Sequence, residues 1–334
     1  MVFETVLLRG PQFLIEQSAE WGIARGQLLR EAGLRPEEVS DPDARIPISR
    51  YVDLWRAIIS HFPEPDVGLR FGSAFDIRRG GLVAYLLLHS PDLRTGIERI
   101  VKFSRVLNEG VRPRFRLDSG RGSLSWVRSP FFRPYPQAVD WALSTLLTSL
   151  RQASSTDLKP KEVWFPYAKP RPVPAAYREH FGSSLRFGCE EARLVFSAEQ
   201  LDLPVADAET ELGVYLERHA EQVLSGLSSR TGLVGRVRCQ IWEDLRGGRP
   251  RLEGTAVALG MSARNLQRQL GAEGTSFAGL RDEMLRHLAA SLLRDRRLAI
   301  SEVAVLLGYS EPSTFYRAFR RWKKASPVEY RATS

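Results

Sequence analysis

Apolar residues recur at helical spacing in some stretches of the chain and at strand spacing in others. Tyr51, Leu54, Trp55 and Ile58 fall at i, i+3, i+4 and i+7, which places four side chains on one helix face. Asp53 and Arg56 are expected on the opposite face. A second helix is predicted over Leu93–Leu107, with Ile97, Ile100, Val101 and Leu107 turned inward. Phe115 and Leu117 then alternate with Arg114 and Arg116, and Leu124 and Trp126 alternate with Ser123, Ser125 and Val127. The intervening Asp118-Ser-Gly-Arg-Gly122 closes a hairpin. A helix over 137–152 and strands at 163–165 and 193–196 follow, with a Pro-rich surface loop at 166–174. Helices and short strands without regular βαβ alternation predict an α+β body. Flexible residues at 224–232 mark a domain boundary, giving domains 1–228 and 229–334.

The last third repeats itself. Leu252-Glu-Gly-Thr-Ala-Val-Ala-Leu-Gly-Met-Ser262 aligns without gaps on Ile300-Ser-Glu-Val-Ala-Val-Leu-Leu-Gly-Tyr-Ser310. In each copy a short apolar helix runs into a glycine, an apolar residue and a serine. Gly260 and Gly308 are suited to the turn because glycine accepts positive φ. Ser262 and Ser310 are expected to cap the helix that follows. The repeat therefore predicts an all-α domain with two helix-turn-helix units.

Each second helix has two faces. Leu266 and Leu270 oppose Arg264, Gln267 and Arg268; Phe315, Phe319 and Trp322 oppose Ser313, Tyr316, Arg317 and Arg320. Arginine presents two donors to guanine O6 and N7, and glutamine matches adenine N6 and N7, so these faces suit the major groove of double-stranded DNA. One such face is as well explained by the solvated side of a bundle. Two in register favour DNA. Phe277–Arg294 reads as a connecting helix, with Leu280, Met284, Leu285, Leu288 and Leu292 on its buried side. At ~1.5 Å per residue it spans about 27 Å, enough to set two reading helices one DNA turn apart.

Charge sharpens this picture. The 334 residues carry a net charge of +9, and residues 229–334 hold 19 Lys+Arg against 10 Asp+Glu, so the whole excess lies in the repeat-bearing third. A neutral body with a basic end fits a polyanion-binding module joined to something else. Two cysteines, Cys189 and Cys239, support no disulfide framework. No apolar run approaches the ~20 residues of a membrane span, and the N-terminus lacks a secretory signal. A cytoplasmic protein with no membrane partner is expected.

These residues carry a resemblance. Ile300 to Trp322, with Ser326-Pro327 and Tyr330-Arg331, and the first unit, Gly260 to Leu270 with Gly274-Thr-Ser-Phe277, resemble the DNA-binding domain of the AraC/XylS family of bacterial transcription regulators. Asp41-Pro-Asp-Ala-Arg-Ile-Pro47, Val67-Gly-Leu-Arg-Phe-Gly72 and Gly80-Gly-Leu-Val-Ala-Tyr85 resemble the arabinose-binding-type regulatory domain of one branch. The resemblance implies an α+β N-terminal regulatory domain that senses a small-molecule effector or forms a homodimer. It also implies a seven-helix C-terminal domain whose third and sixth helices enter successive major grooves. By motif position, Arg264, Gln267 and Arg268 read bases in one groove, and Ser313, Tyr316 and Arg317 in the next. Contact with RNA polymerase is implied where such a protein activates. Two departures from the family pattern, Pro312 in the first turn of the second reading helix and Arg264 where relatives carry an aromatic, prevent copying a base preference.

An alternative function is a DNA-repair or modifying enzyme that uses the same DNA-binding domain. It needs a nucleophile or metal cluster in 1–228. His61, His89, His180, His219 and His287 are scattered, and none stands at metal-ligand spacing from a cysteine or carboxylate. Gly247-Gly248 reads as a loop rather than a phosphate cradle. Cys189 sits beside Glu190 and Glu191, which disfavour a thiolate. No cofactor is expected. The apolar content of the N-terminal domain suits an apolar or amphipathic effector and suits a plain core equally. Helix 137–152, with Val139, Ala142, Leu143, Leu146, Leu147 and Leu150 spread over more than one face, is expected to be either core or a dimer surface.

Overall fold

A computed structural model describes residues 4–126, 132, 134–229, 233–247, 250–294, 296 and 298–333. Val127 at the end of the hairpin, Gly248, and the side chains of Cys239 and His287 lie outside the described residues. The chain divides into two compact units at Ser225 and Gly226.

The first unit opens with β1 (Thr5–Leu7), α1 (Arg9–Glu20), α2 (Arg25–Glu31), β2 (Arg45–Pro47), α3 (Ile48–His61), α4 (Val67–Ser73), α5 (Leu82–Leu88) and α6 (Leu93–Leu107). There follow β3 (Arg114–Asp118), β4 (Arg121–Trp126), α7 (Pro136–Ser154), β5 (Glu162–Phe165), α8 (Ala175–Phe181), β6 (Leu185–Phe187), β7 (Ala192–Ser197), α9 (Ala198–Leu201) and α10 (Thr210–Ser229), within which the division between the units falls. Strands β1 and β2 pair on their own. The others form a sheet in the order β3-β4-β7-β5-β6, antiparallel except for β5 beside β6. This is the α+β class that the mixed periodicities predict.

The hairpin closes through Ser119 and Gly120, both at positive φ, with Asp118 opposite Arg121. Two left-handed residues match the twist of the flanking strands. Burial departs from the sequence expectation at four places. Asp53 is buried and pairs with Arg56, so the second face of α3 is covered as well. On α6 the buried residues are Leu93, Gly96, Ile97, Arg99, Phe103 and Val106, with Ile100, Val101 and Leu107 only half-buried. The Pro-rich loop keeps a surface course, but Tyr167 within it is buried. Met284, expected inward on the connecting helix, is half-buried.

Helix α7 is core. Val139, Leu143, Leu147 and Leu150 are buried against Leu124, Val163, Phe165, Leu194 and Phe196 of the sheet, so of the two expectations for this helix the core is the one the packing meets. Its other flank receives α4. A Cβ on Gly68 would stand 1.8 Å from the Gln137 carbonyl oxygen, and one on Gly72 would stand 2.4 Å from the Ser144 Cβ. These are the glycines of the Val67–Gly72 motif, and they let the two helices touch backbone to backbone. The 41–47 motif is also architectural, because Arg45 donates to the Thr5 hydroxyl at 2.6 Å and the Thr5 carbonyl at 3.0 Å, tying β2 to β1.

Two polar clusters sit behind α7. Asp140 is fully buried and accepts hydrogen bonds from the hydroxyls of Tyr177 (2.6 Å) and Tyr167. Burial and the neighbouring carboxylate push both phenols upward, so they remain donors. His180 lies against Ser144, whose hydroxyl donates to the Leu69 carbonyl and therefore accepts from His180 Nε2 at 2.9 Å. Arg151 approaches the other ring nitrogen at 3.3 Å. A neutral ring with its proton on Nε2 satisfies both contacts. Burial, reinforced by the charges of Arg151 and Lys159, lowers the His180 pKa to about 4. Between pH ~6.5 and ~4 the unfolded chain binds a proton that the folded chain refuses. Stability is therefore complete above pH ~6.5 and falls as the pH drops toward 4, by up to about 3 kcal/mol, and by less where solvent reaches the ring. Urea denaturation of wild type and His180→Gln across this range should show a shallower slope for the variant. Equal slopes would remove His180 from this role.

The second unit is helical: α11 (Leu233–Gly247), α12 (Leu252–Ala258), α13 (Ala263–Ala272), α14 (Phe277–Arg294), α15 (Ile300–Leu306), α16 (Pro312–Lys323) and α17 (Pro327–Thr333). Seven helices among the described residues agree with the expectation from resemblance, and the third and sixth are α13 and α16. Helix α14 packs against α11, α15, α16 and α17, burying Leu280, Leu285, Leu288, Leu292 and Leu293.

Candidate nucleic-acid interface

Both turns form as the glycines require. Gly260 and Gly308 have φ of 68° and 77°. In the first turn, Gly260 N–H donates to Val257 O at 3.0 Å and Met261 N–H to Ala256 O at 2.9 Å. In the second, Gly308 N–H donates to Val305 O and Tyr309 N–H to Ala304 O, each at 3.0 Å. Each pair satisfies carbonyls that a helix end leaves open. Thr255 is buried with its hydroxyl on Asp244 at 2.7 Å, anchoring α12 to α11; the matching position in the second unit is the buried Val303.

The two helices that follow start differently. Ser262 caps α13 and accepts the Asn265 N–H at 3.2 Å. Ser310 does not cap α16, contrary to the expectation from the repeat. The cap residue is Glu311, extended at φ −125° and ψ 123°, and the helix begins at Pro312. Proline disfavours helical geometry in the residue before it, yet suits the first helical position. The Glu311-Pro312 pair therefore moves the helix start one residue beyond the serine. Ser310 is left exposed in the turn. As a result the units match with an offset of 48 through the turn and 49 along the reading helix. Leu266 and Leu270 correspond to Phe315 and Phe319, all four fully buried.

The faces opposite these anchors are open. Ser262, Arg264, Gln267 and Arg268 are exposed on the first unit; Ser310, Ser313, Arg317 and Arg320 are exposed on the second, and Tyr316 is half-buried. The structure brings the first group together along one side of α13 with its cap, and the second along one side of α16. Arg268 and Arg317 occupy matching positions, and each is steadied from three residues earlier. Arg268 donates to Asn265 Oδ1 at 3.0 Å and Arg317 to Thr314 Oγ1 at 3.3 Å. Asn265 and Thr314 escaped the sequence reading, although both stand one turn before an arginine on a helix. Neither Arg268 nor Arg317 has a carboxylate partner among the described ion pairs. Arg321, in contrast, is tied to Asp282 of α14, beside the Trp322 Nε1 contact to the same carboxylate at 3.4 Å. Arg321 therefore anchors α16, and its neighbour Arg320 is left outward.

Among the described residues no three His, Cys, Asp or Glu side chains cluster to hold a metal, and no helix is long and apolar enough to cross a membrane. Cys189 is half-buried, and its thiol faces the Arg186 carbonyl at 3.7 Å.

Comparison with known proteins identifies the family. Residues 22–205 match the model for the arabinose-binding domain of AraC transcription regulators, N-terminal, and residues 255–333 match a helix-turn-helix domain. The ornithine utilization regulator of Pseudomonas aeruginosa is 31% identical over 98% of this chain and 96% of its own length. The HTH-type transcriptional regulator VirS of Mycobacterium tuberculosis is 29% identical over 91% of this chain and 89% of its own. Among solved structures, the transcriptional regulator CdpR from Pseudomonas aeruginosa aligns over 92% of this chain and 96% of that one, at 22% identity and a TM-score of 0.44. The relatives are transcription regulators, and none of these matches supports the repair-enzyme alternative. The chain belongs to the AraC family of DNA-binding transcription regulators, with an arabinose-binding-type domain ahead of its helix-turn-helix domain.

Proposed function

We propose that α13 and α16 read successive major grooves on one face of the duplex, about 10 bp apart. Arg264, Gln267 and Arg268 meet base edges in the first groove, and Ser313, Tyr316 and Arg317 in the second. Ser262, Ser310 and Arg320 flank these faces and meet phosphate. The observation that carries this reading is the duplicated exposed face, with an arginine at the same helix position in each copy, steadied by a short polar side chain. Residues 1–228 form the non-catalytic, effector-sensing part of a cytoplasmic protein. They also supply the contacts of a homodimer, on a surface other than α7. When the protein activates transcription, RNA polymerase is the further partner.

The division of labour is testable with fragments. Residues 229–334 alone should shift duplex DNA in a gel, and 1–228 alone should not. Affinity of the C-terminal fragment should fall linearly on a log–log salt plot, with a slope of about −0.9 per phosphate neutralised. An N-terminal fragment that carried the affinity would sink the assignment.

A further inference from the structure

The first unit carries a pocket of about 240 Å³, partly open to solvent and lined by residues of β1, α1, α3, α5, α6 and α7 and of the segment before α5. Its walls are hydrocarbon and aromatic: Phe75, Ile77, Val83, Leu87, Ile100 and Trp141. Four of the side chains that sequence periodicity turned inward on α6 and α7 are only half-buried and line this pocket. Ile100 and Leu107, half-buried on α6, and Ala142 and Leu146, half-buried on α7, all face this space.

The polar groups on the wall are few, and most are already engaged. The Arg9 guanidinium makes a two-point contact with Asp43, at 2.9 and 3.0 Å, which neutralises it at the rim. Ser149 donates to the Thr145 carbonyl at 2.8 Å, and Asn108 Oδ1 accepts from Gly110 N–H at 2.9 Å. Burial pushes the Tyr51 hydroxyl up to about 12, so it stays neutral. Thr145 Oγ1 is buried with no hydrogen-bond partner among the described residues. A buried polar oxygen left unpaired is costly, and the Tyr51 hydroxyl and Asn108 amide on the same wall are the groups placed to meet one polar end of a ligand.

We infer that this cavity is the effector site, and that it takes an uncharged, mostly hydrocarbon molecule of about ten non-hydrogen atoms with one hydrogen-bonding end. The inference rests on the reading of this unit as effector-sensing. The size follows by comparison with apolar protein cavities of about 150 Å³, which hold benzene. The charge state follows from the wall. A carboxylate or ammonium group would have no uncommitted counter-charge there, and an isolated buried charge is strongly disfavoured. A sugar would bring several hydroxyls to a wall that is mostly hydrocarbon. The cavity thus departs in chemistry from the sugar of the domain's family description and from the amino acid in the name of the ornithine utilization regulator.

Gly10 supplies a clean way to fill the space. It lines the cavity on α1, and a Cβ built there meets nothing closer than the Trp141 ring at 4.0 Å. The full chain should be titrated calorimetrically with octan-1-ol, octanoate, L-ornithine and L-arabinose. Octan-1-ol is expected to bind saturably and at least tenfold more tightly than octanoate, with no saturable heat from the other two. Gly10→Leu should weaken octan-1-ol at least tenfold while keeping its unfolding transition. Ala142→Leu, from the opposite wall, provides a second plug in case the first variant fails to fold. Tighter binding of octanoate, lost in Arg9→Gln, would overturn the inference by showing that Arg9 leaves Asp43 for an anion. So would binding of ornithine or arabinose that either plug abolishes, or no binding of any of the four. Operator occupancy in cells separates this from the underlying reading. If wild type and Gly10→Leu respond alike to growth conditions, the cavity is not the sensor but effector sensing stands. If the wild-type chain responds to none, effector sensing falls and the inference falls with it.

Discussion

Gly68→Ala should cost the first unit about 3 kcal/mol or more and remove its cooperative unfolding transition. Adding a methyl group to a packed core usually costs about 1–3 kcal/mol, because neighbouring side chains change rotamer to make room. That escape is closed at Gly68. The added Cβ would stand 1.8 Å from the carbonyl oxygen of Gln137 and 2.6 Å from its carbon, both backbone atoms of α7. Helix α7 cannot retreat, since Leu143, Leu147 and Leu150 on its other side are fully buried. Separating α4 from α7 would also strain the Ser144 hydroxyl bond to Leu69 O. Gly26→Ala is the control. It lies in α2 with nothing nearer than the Arg30 guanidinium at 3.6 Å, and should stabilise slightly through helix propensity. Urea denaturation followed by tryptophan emission measures both variants. A Gly68→Ala chain within 1 kcal/mol of wild type would show that α4 and α7 are not held in backbone contact.

That glycine pair was present in the sequence, four residues apart inside an apolar stretch. Nothing local told which helix it would meet, because Gly68 and Gln137 are far apart along the chain. The same separation hid the cavity, whose walls come from six elements plus a connecting segment. Periodicity did show that α6 and α7 carry more apolar residues than one face holds. It could not distinguish a second packing partner, a dimer surface and an internal space. The strands β1, β2 and β6 are three residues each, too short for an alternating pattern to register.

The helix-turn-helix units were far more legible. A turn that needs positive φ writes a glycine into the sequence, and a helix with one buried face writes leucine or phenylalanine at i and i+4. Gly260, Gly308, Leu266, Leu270, Phe315 and Phe319 are the direct record of those demands. Ser310 does not cap because the repeat in structure ends one residue before it does in sequence. Glu311-Pro312 carried the correcting signal, since a proline is tolerated at the first helical position and pushes its predecessor to extended geometry. The one-residue offset between the units follows from that dipeptide.

The largest effect on DNA should come from the matched arginines. Arg268→Ala and Arg317→Ala should each cost about 1–3 kcal/mol on the preferred site, the range for one bidentate contact to a base pair. They lie on separate helices that read different grooves, so the double variant should lose close to the sum. That is a fall of roughly 30-fold to 10⁴-fold in affinity, at ~1.4 kcal/mol per tenfold. Each single variant should relax base preference at its own position, with the two positions about 10 bp apart. Lys323 is the contrasting case. It is exposed, and its ammonium lies over the Tyr330 ring at 5.4 Å, beyond the reading face. Lys323→Ala should weaken every sequence alike and reduce the salt slope, as loss of a phosphate contact does. Selection from a randomised duplex library with each variant decides the matter. Uniform loss across the library for both arginine variants would make Arg268 and Arg317 phosphate contacts, and base reading would have to rest on Arg264, Gln267, Ser313 and Tyr316.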